Sequence, residues 1–216
     1  PIGVEEVGYF RANYDGNGHS IIGLIPDSYY NYSGLFGFIE QATISNLRIK
    51  YGIFEIEEIG GAIAANTHST KIINCSVEDV YFYETKESDH YAGGLVGILQ
   101  DESSIINSYV IATITFNDTG WDNCFGGLVY DLSYDSSIYN SYSNITPIDE
   151  NLSAYNYFAH IAVYLDDSRR YDEITPLISN CYYFVGDPES PSYFLPAFLD
   201  DQFNFDYNRV SNVFFY

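Results

Sequence analysis

Three cysteines, four histidines and one acidic–basic cluster are the residues of this chain that could do chemistry. Cys75, Cys124 and Cys181 form no C-x-x-C pair, so zinc ligation and dithiol redox work lack their usual spacing. His19, His68, His90 and His160 stand far apart, and His19, in Asp15-Gly16-Asn17-Gly18-His19, reads as a turn histidine. Asp166, Asp167, Arg169 and Arg170 offer the carboxylate-plus-cation mix of a polysaccharide-cleaving β-helix. They are neighbours in one polar stretch, however, and a salt-bridged loop is the simpler reading. G-x-S-x-G, Walker and dinucleotide glycine loops are absent. We therefore expect no enzyme and no cofactor.

The charge is lopsided, with 30 acidic against 8 basic residues and a net −22. Such a chain repels nucleic-acid phosphates, so no nucleic-acid partner is expected. No apolar run reaches the roughly 18 residues of a spanning helix, so no membrane insertion is expected. The acid comes in pairs (Glu5-Glu6, Glu57-Glu58, Asp101-Glu102, Asp166-Asp167, Asp200-Asp201). Solvated loops are the plain reading of these pairs, with Ca²⁺ held loosely between coils as the sharper one.

The elements that position these residues emerge when the chain is laid on itself. A small-apolar block recurs as Gly34-Leu35-Phe36-Gly37, Gly61-Ala62-Ile63-Ala64, Gly94-Leu95-Val96-Gly97 and Gly127-Leu128-Val129-Tyr130. His160-Ile161-Ala162-Val163 is a degenerate fifth copy, and the steps are 27, 33, 33 and 33 residues. An asparagine follows each block, and the series runs Asn46, Asn74, Asn107, Asn140, Asn180, Asn212, with steps of 28, 33, 33, 40 and 32. Two positions before each lies a β-branched residue: Ile44, Ile72, Ile105, Ile138, Ile178, Val210. A polar insertion near 166–173 accounts for the long step.

Stacking coils at about 4.8 Å would align these residues into an Ile column and an Asn column. Two positions apart share a strand face, so Ile and Asn should point the same way, with the amides bonded to one another at a bend. The expected fold is all-β: a parallel β-helix, or β-solenoid, right-handed, with coils of about 27–33 residues. It would be one domain over 1–216, with an atypical first coil at 1–33, repeat coils at 34–186 and an aromatic terminal coil at 187–216. In that first coil, Gly23 aligns with Asn46.

Counting from each Asn as n, the n+2 column reads Arg48, Ser76, Tyr109, Tyr142, Tyr182, Phe214. Strand parity puts it in the core unless the Asn bend resets the parity. Outside, tyrosines could stack on sugars or pack against another subunit; core or interface is favoured. Cys75 and Cys181 share the n+1 position, three coils apart, which is too far for a disulfide. Ser108 and Ser141 lie between them, so all four read as small buried residues, while the state of Cys124 is open.

Gly93-Gly94-Leu95-Val96-Gly97 and Gly126-Gly127-Leu128-Val129, followed by Ile-x-Asn-(Cys/Ser)-Tyr segments and preceded by Asp15-Gly16-Asn17-Gly18-His19, resemble the GLUG-motif repeat proteins. The resemblance runs from about Tyr14 to Tyr216. It implies a β-helix of large secreted or surface-anchored, adhesin-like proteins, without an assigned catalytic site.

Sequons at Asn31, Asn74, Asn117, Asn144 and Asn151, in loop-like stretches, fit a secreted glycoprotein. The chain has no Met, which reads as a processed product or a segment of something longer. Val210–Tyr216 is a ladder strand, and Val213, Phe214, Phe215 and Tyr216 would form an uncapped assembly end. The expected role is an extracellular or cell-surface structural protein: a subunit or segment of a filament, stalk or adhesin. Its partners would be copies of itself end to end, or further domains of a longer chain. The alternative is a carbohydrate-binding or polysaccharide-cleaving β-helix with glycan partners.

Overall fold

The computed structural model describes residues 1–4, 8–27, 31–84, 89–116, 123–148, 156–166, 177–184 and 210–215. They form an all-β solenoid of three parallel sheets. Strands two to nine residues long succeed one another around each coil, and every ladder partner lies on a neighbouring coil.

One sheet stacks Phe36–Glu40, Ala64–His68, Val96–Gln100, Val129–Ser133 and Ala162–Asp166. A second stacks Tyr32–Ser33, Ile59–Gly61, His90–Gly93, Asn123–Gly126 and Asn156–Ala159. The third and largest has 13 strands and carries the Ile and Asn positions. Its register sets Tyr14, Ile44, Ile72, Ile105, Ile138, Ile178 and Val210 directly opposite one another. The five Ile side chains have no solvent exposure, so the column is core as expected. Beside it, Phe54, Phe82, Phe125 and Phe158 fill the centre as a chain of ring contacts 5.1–6.2 Å apart.

The glycine pairs Gly93-Gly94 and Gly126-Gly127 have a steric cause. A Cβ on Gly93 or Gly126 would run into the carbonyl of Val96 or Val129 three residues on. A Cβ on Gly94 would strike the Gly127 carbonyl of the next coil, and one on Gly127 the His160 carbonyl. Only hydrogen fits where backbone meets backbone that closely. The fifth copy, Ala159-His160, carries side chains there, and no described coil stacks against it.

The first coil differs from expectation in register. Tyr14 pairs with Ile44 and Asp15 with Ser45, so Asp15-Gly16 stands at the Asn column and Gly23 does not. The Asp15–His19 turn is the reason: Asn17 N–H donates to Asp15 Oδ1, His19 N–H donates to Gly16 C=O, and the chain rejoins the ladder at Ser20 opposite Arg48. Gly23 instead follows the partner of Lys50, its N–H donating to the Lys50 carbonyl. At the same end, Ile2 and Phe10 bridge to Phe36 and Ile39 and cover the edge of Phe36–Glu40.

Candidate functional site

The Asn column marks a bend that reorganises everything after it. Asn46, Asn74, Asn107, Asn140, Asn180 and Asn212 all have φ between 49° and 53°. This left-handed conformation is one that Asn tolerates better than other side chains do, because its amide can bond locally. The bend turns the Asn side chains outward, so the expectation that Ile and Asn share a face is wrong: parity holds only through extended backbone. The amides form the predicted ladder at four of its five steps, Nδ2 donating to an Oδ1 of the coil before: Asn74 to Asn46 at 3.4 Å, Asn140 to Asn107 at 3.2 Å, Asn180 to Asn140 at 3.2 Å and Asn212 to Asn180 at 2.9 Å. Asp15 takes the amide of Asn46 at 2.9 Å and closes the column; this bond, with a second from the Asn17 N–H, holds its carboxyl below the usual range.

The n+1 residues point inward and build a second ladder that sequence reading missed. The Cys75 N–H donates to Ser108 Oγ and the Ser108 N–H to Ser141 Oγ, both at 3.1 Å. Each of these hydroxyls or thiols also donates back to the carbonyl two residues earlier, across the bend. A hydroxyl or thiol suits this position in the four middle coils, which read Cys, Ser, Ser, Cys, while Leu47 and Val213 stand there on the coils at either end. All three cysteines are buried, and burial pushes the Cys75 and Cys181 thiols up to about 11. Thr70, Ser103 and Ser136 repeat the device at the preceding corner, with N–H to Oγ bonds of 3.0 and 3.1 Å.

With parity reset, the n+2 column lies outside. Tyr109, Tyr142 and Tyr182 are half-buried, and Phe214 is 46% exposed. Tyr109 and Tyr142 are parallel to within 2°, with ring centroids 4.7 Å apart, and Tyr182 stacks on Phe214 at 5.6 Å. Offset stacking of this kind is favourable, and it turns the stacked ring faces toward each other.

Beside the tyrosines sits a charged knot. The Glu78 carboxylate accepts from Lys50 Nζ and from the Tyr109 hydroxyl, both at 2.5 Å, and from Ser76 Oγ at 2.9 Å. Burial alone would raise its pKa, but the three donors outweigh that and hold it down to about 2. On the Tyr109 side, burial and the carboxylate together raise the phenol above its ordinary range.

His19 is exposed in its turn, and its carbonyl accepts from the Arg48 N–H. His68 Nδ1 contacts Asp101 Oδ2 at 2.7 Å, and buried His90 Nδ1 contacts Asn123 Oδ1 at 2.9 Å. His160 packs against Tyr183 and Phe158. Asp101, Glu102 and Asp135 line a shallow depression with Ser69 and Tyr134, yet no group of three potential ligands converges on a cation position among the described residues. Asp167, Arg169 and Arg170 lie outside the described residues, as do Asn117, Asn151 and Tyr216; Asp166 ends a strand. Asn31 is exposed, and its amide donates to Glu58. Asn144 corrects the loop expectation: it lies half-buried within Tyr142–Pro147, between Ile111 and Phe184. Val213 packs on the core while Phe214 turns outward, so the expected assembly end divides between the two faces.

None of the curated proteins compared matches the chain. Residues 88–115 match the GLUG motif. The match runs through four strands of one coil, His90–Gly93, Val96–Gln100, Ser104–Ile106 and Tyr109–Thr115. The chain is a β-solenoid in which one coil matches the GLUG motif.

Proposed function

We propose that this chain is an extracellular structural protein, a subunit or segment of a surface filament, stalk or adhesin. One observation carries the reading: each residue set that the repeat specifies joins one coil to the next. Ile side chains stack in the core, Asn amides and Ser hydroxyls bond across coils, and Tyr109 stacks on Tyr142. Lengthwise continuation follows from the same logic: Val210–Phe215 pairs with Ile178–Phe184 along one edge and, among the described residues, has no strand on the other. Further coils of a longer chain, or a second molecule, would take that edge.

The carbohydrate reading draws on the outward tyrosines. Against it, the stacked rings turn their faces toward each other, whereas sugar stacking needs an open face. An antibody raised to the folded solenoid should label intact cells of the source; labelling only after permeabilisation would refute the surface reading. A glycan array run with a lyase assay should be blank, and specific binding or cleavage would favour the alternative.

A further inference from the structure

We propose that Tyr109 and Tyr142 are an oxidative cross-linking site, coupled ortho carbon to ortho carbon by a one-electron oxidant into a dityrosine that joins adjacent coils covalently. The inference stands apart from the functional reading above.

Geometry brings the two rings together. Tyr109 and Tyr142 are direct register partners on neighbouring strands, with parallel rings 4.7 Å apart between centroids. Sliding one ring over the other brings ortho carbons into bonding approach without breaking the ladder. Both side chains are half-buried and so open to a small oxidant at their edges. A disulfide cannot serve between these coils, because the n+1 cysteines lie on strands three steps apart, beyond bridging distance.

The proton path is also in place. A phenol that loses an electron sheds its hydroxyl proton, and the Tyr109 hydroxyl already donates to Glu78 at 2.5 Å. Each tyrosine gives up one electron and one hydroxyl proton, and the two neutral phenoxyl radicals form a single carbon–carbon bond. The ortho hydrogens then move to the oxygens and restore both aromatic rings. The sum is two electrons and two protons lost, and the electrons pass to the oxidant: peroxide activated by a haem peroxidase, or a photo-oxidant with persulfate.

Among the described residues, two other tyrosine pairs stack less favourably. Tyr81 and Tyr83 lie on one strand at 5.8 Å. Tyr91 and Tyr130 are 4.8 Å apart but inclined by 29°, and burial pushes the Tyr130 phenol far up.

The test is photo-oxidation of dilute native protein with a ruthenium trisbipyridyl complex and persulfate, isolation of the monomer, and peptide mapping of dityrosine. The expected result is one dominant linked pair, Tyr109–Tyr142, lost in both Tyr109→Phe and Tyr142→Phe and slowed in Glu78→Gln. Circular dichroism establishes that each variant is folded. The proposal is overturned if the Tyr109–Tyr142 link is no more abundant than in protein oxidised in urea, if another pair dominates, or if Glu78→Gln leaves the yield unchanged.

Discussion

The side-chain amide of Asn140 donates to Oδ1 of Asn107, 3.2 Å away on the preceding coil, and the two residues hold φ of 49° and 51°. One residue type thus meets two demands at once: a left-handed bend, and a bond to the neighbouring coil. The demands separate by mutation. Asn107→Ala loses both and should cost about 1–3 kcal/mol. Asn107→Gly keeps the bend and loses only the amide, so it should be the milder change. Urea denaturation of the two variants checks the order, and equal losses would mean that the bend conformation contributes nothing.

The glycine pair makes a sharper prediction. Gly127 needs its missing side chain because a Cβ would strike the His160 carbonyl, whereas a Cβ on Gly18 meets nothing within 4 Å. Gly127→Ala should cost about 3 kcal/mol by overpacking. At Gly18, whose φ is +73°, alanine should cost only about 1–2 kcal/mol of left-handed strain. Thermal melts of the pair measure the difference.

At the n+1 position the hydroxyl is an acceptor for a buried N–H. Ser108→Ala leaves the Cys75 N–H without its partner and should cost about 1–3 kcal/mol. Replacing Cys75 or Cys181 by serine should be nearly silent, since Ser108 and Ser141 already fill equivalent places. With their thiols pushed up to about 11, Cys75 and Cys181 should resist alkylation at neutral pH in the native state and react on unfolding. Rapid native labelling of both would contradict the buried ladder.

Acid should loosen the outer face through Glu78. Its carboxyl lies at about 2 in the fold against an ordinary 4.5, so the unfolded chain takes up the proton first. Its contribution is therefore complete above pH 4.5 and is lost as the pH falls toward 2. In Glu78→Gln that part of the acid dependence should vanish, which titration of the melting temperature for both proteins reads directly.

The Ile and Asn columns were legible in sequence because stacking converts a fixed step into a fixed register, and Ile72 opposite Ile105 opposite Ile138 follows from 33-residue spacing alone. The direction of the Tyr109 column was not legible by parity, because parity assumes extended backbone through Asn107. The asparagine itself was the available signal, being the side chain best suited to positive φ. Gly23 was misaligned because the Asp15–His19 turn inserts residues at a bend where the later coils have one. In the Glu78–Lys50–Tyr109 knot, Lys50 and Glu78 are register partners at the 28-residue step, while Tyr109, opposite Ser76, reaches Glu78 diagonally, a contact that no repeat spacing announces. Asn144 was read as a loop residue from its sequon, while its place between Ile111 and Phe184 is set by strand register.

The central claim is that the repeat exists to extend a solenoid lengthwise as a structural element. Negative-stain electron microscopy of the protein isolated from its native source tests it most directly. The account predicts rods or filaments with the solenoid axis along their length; dispersed globules alone would contradict it.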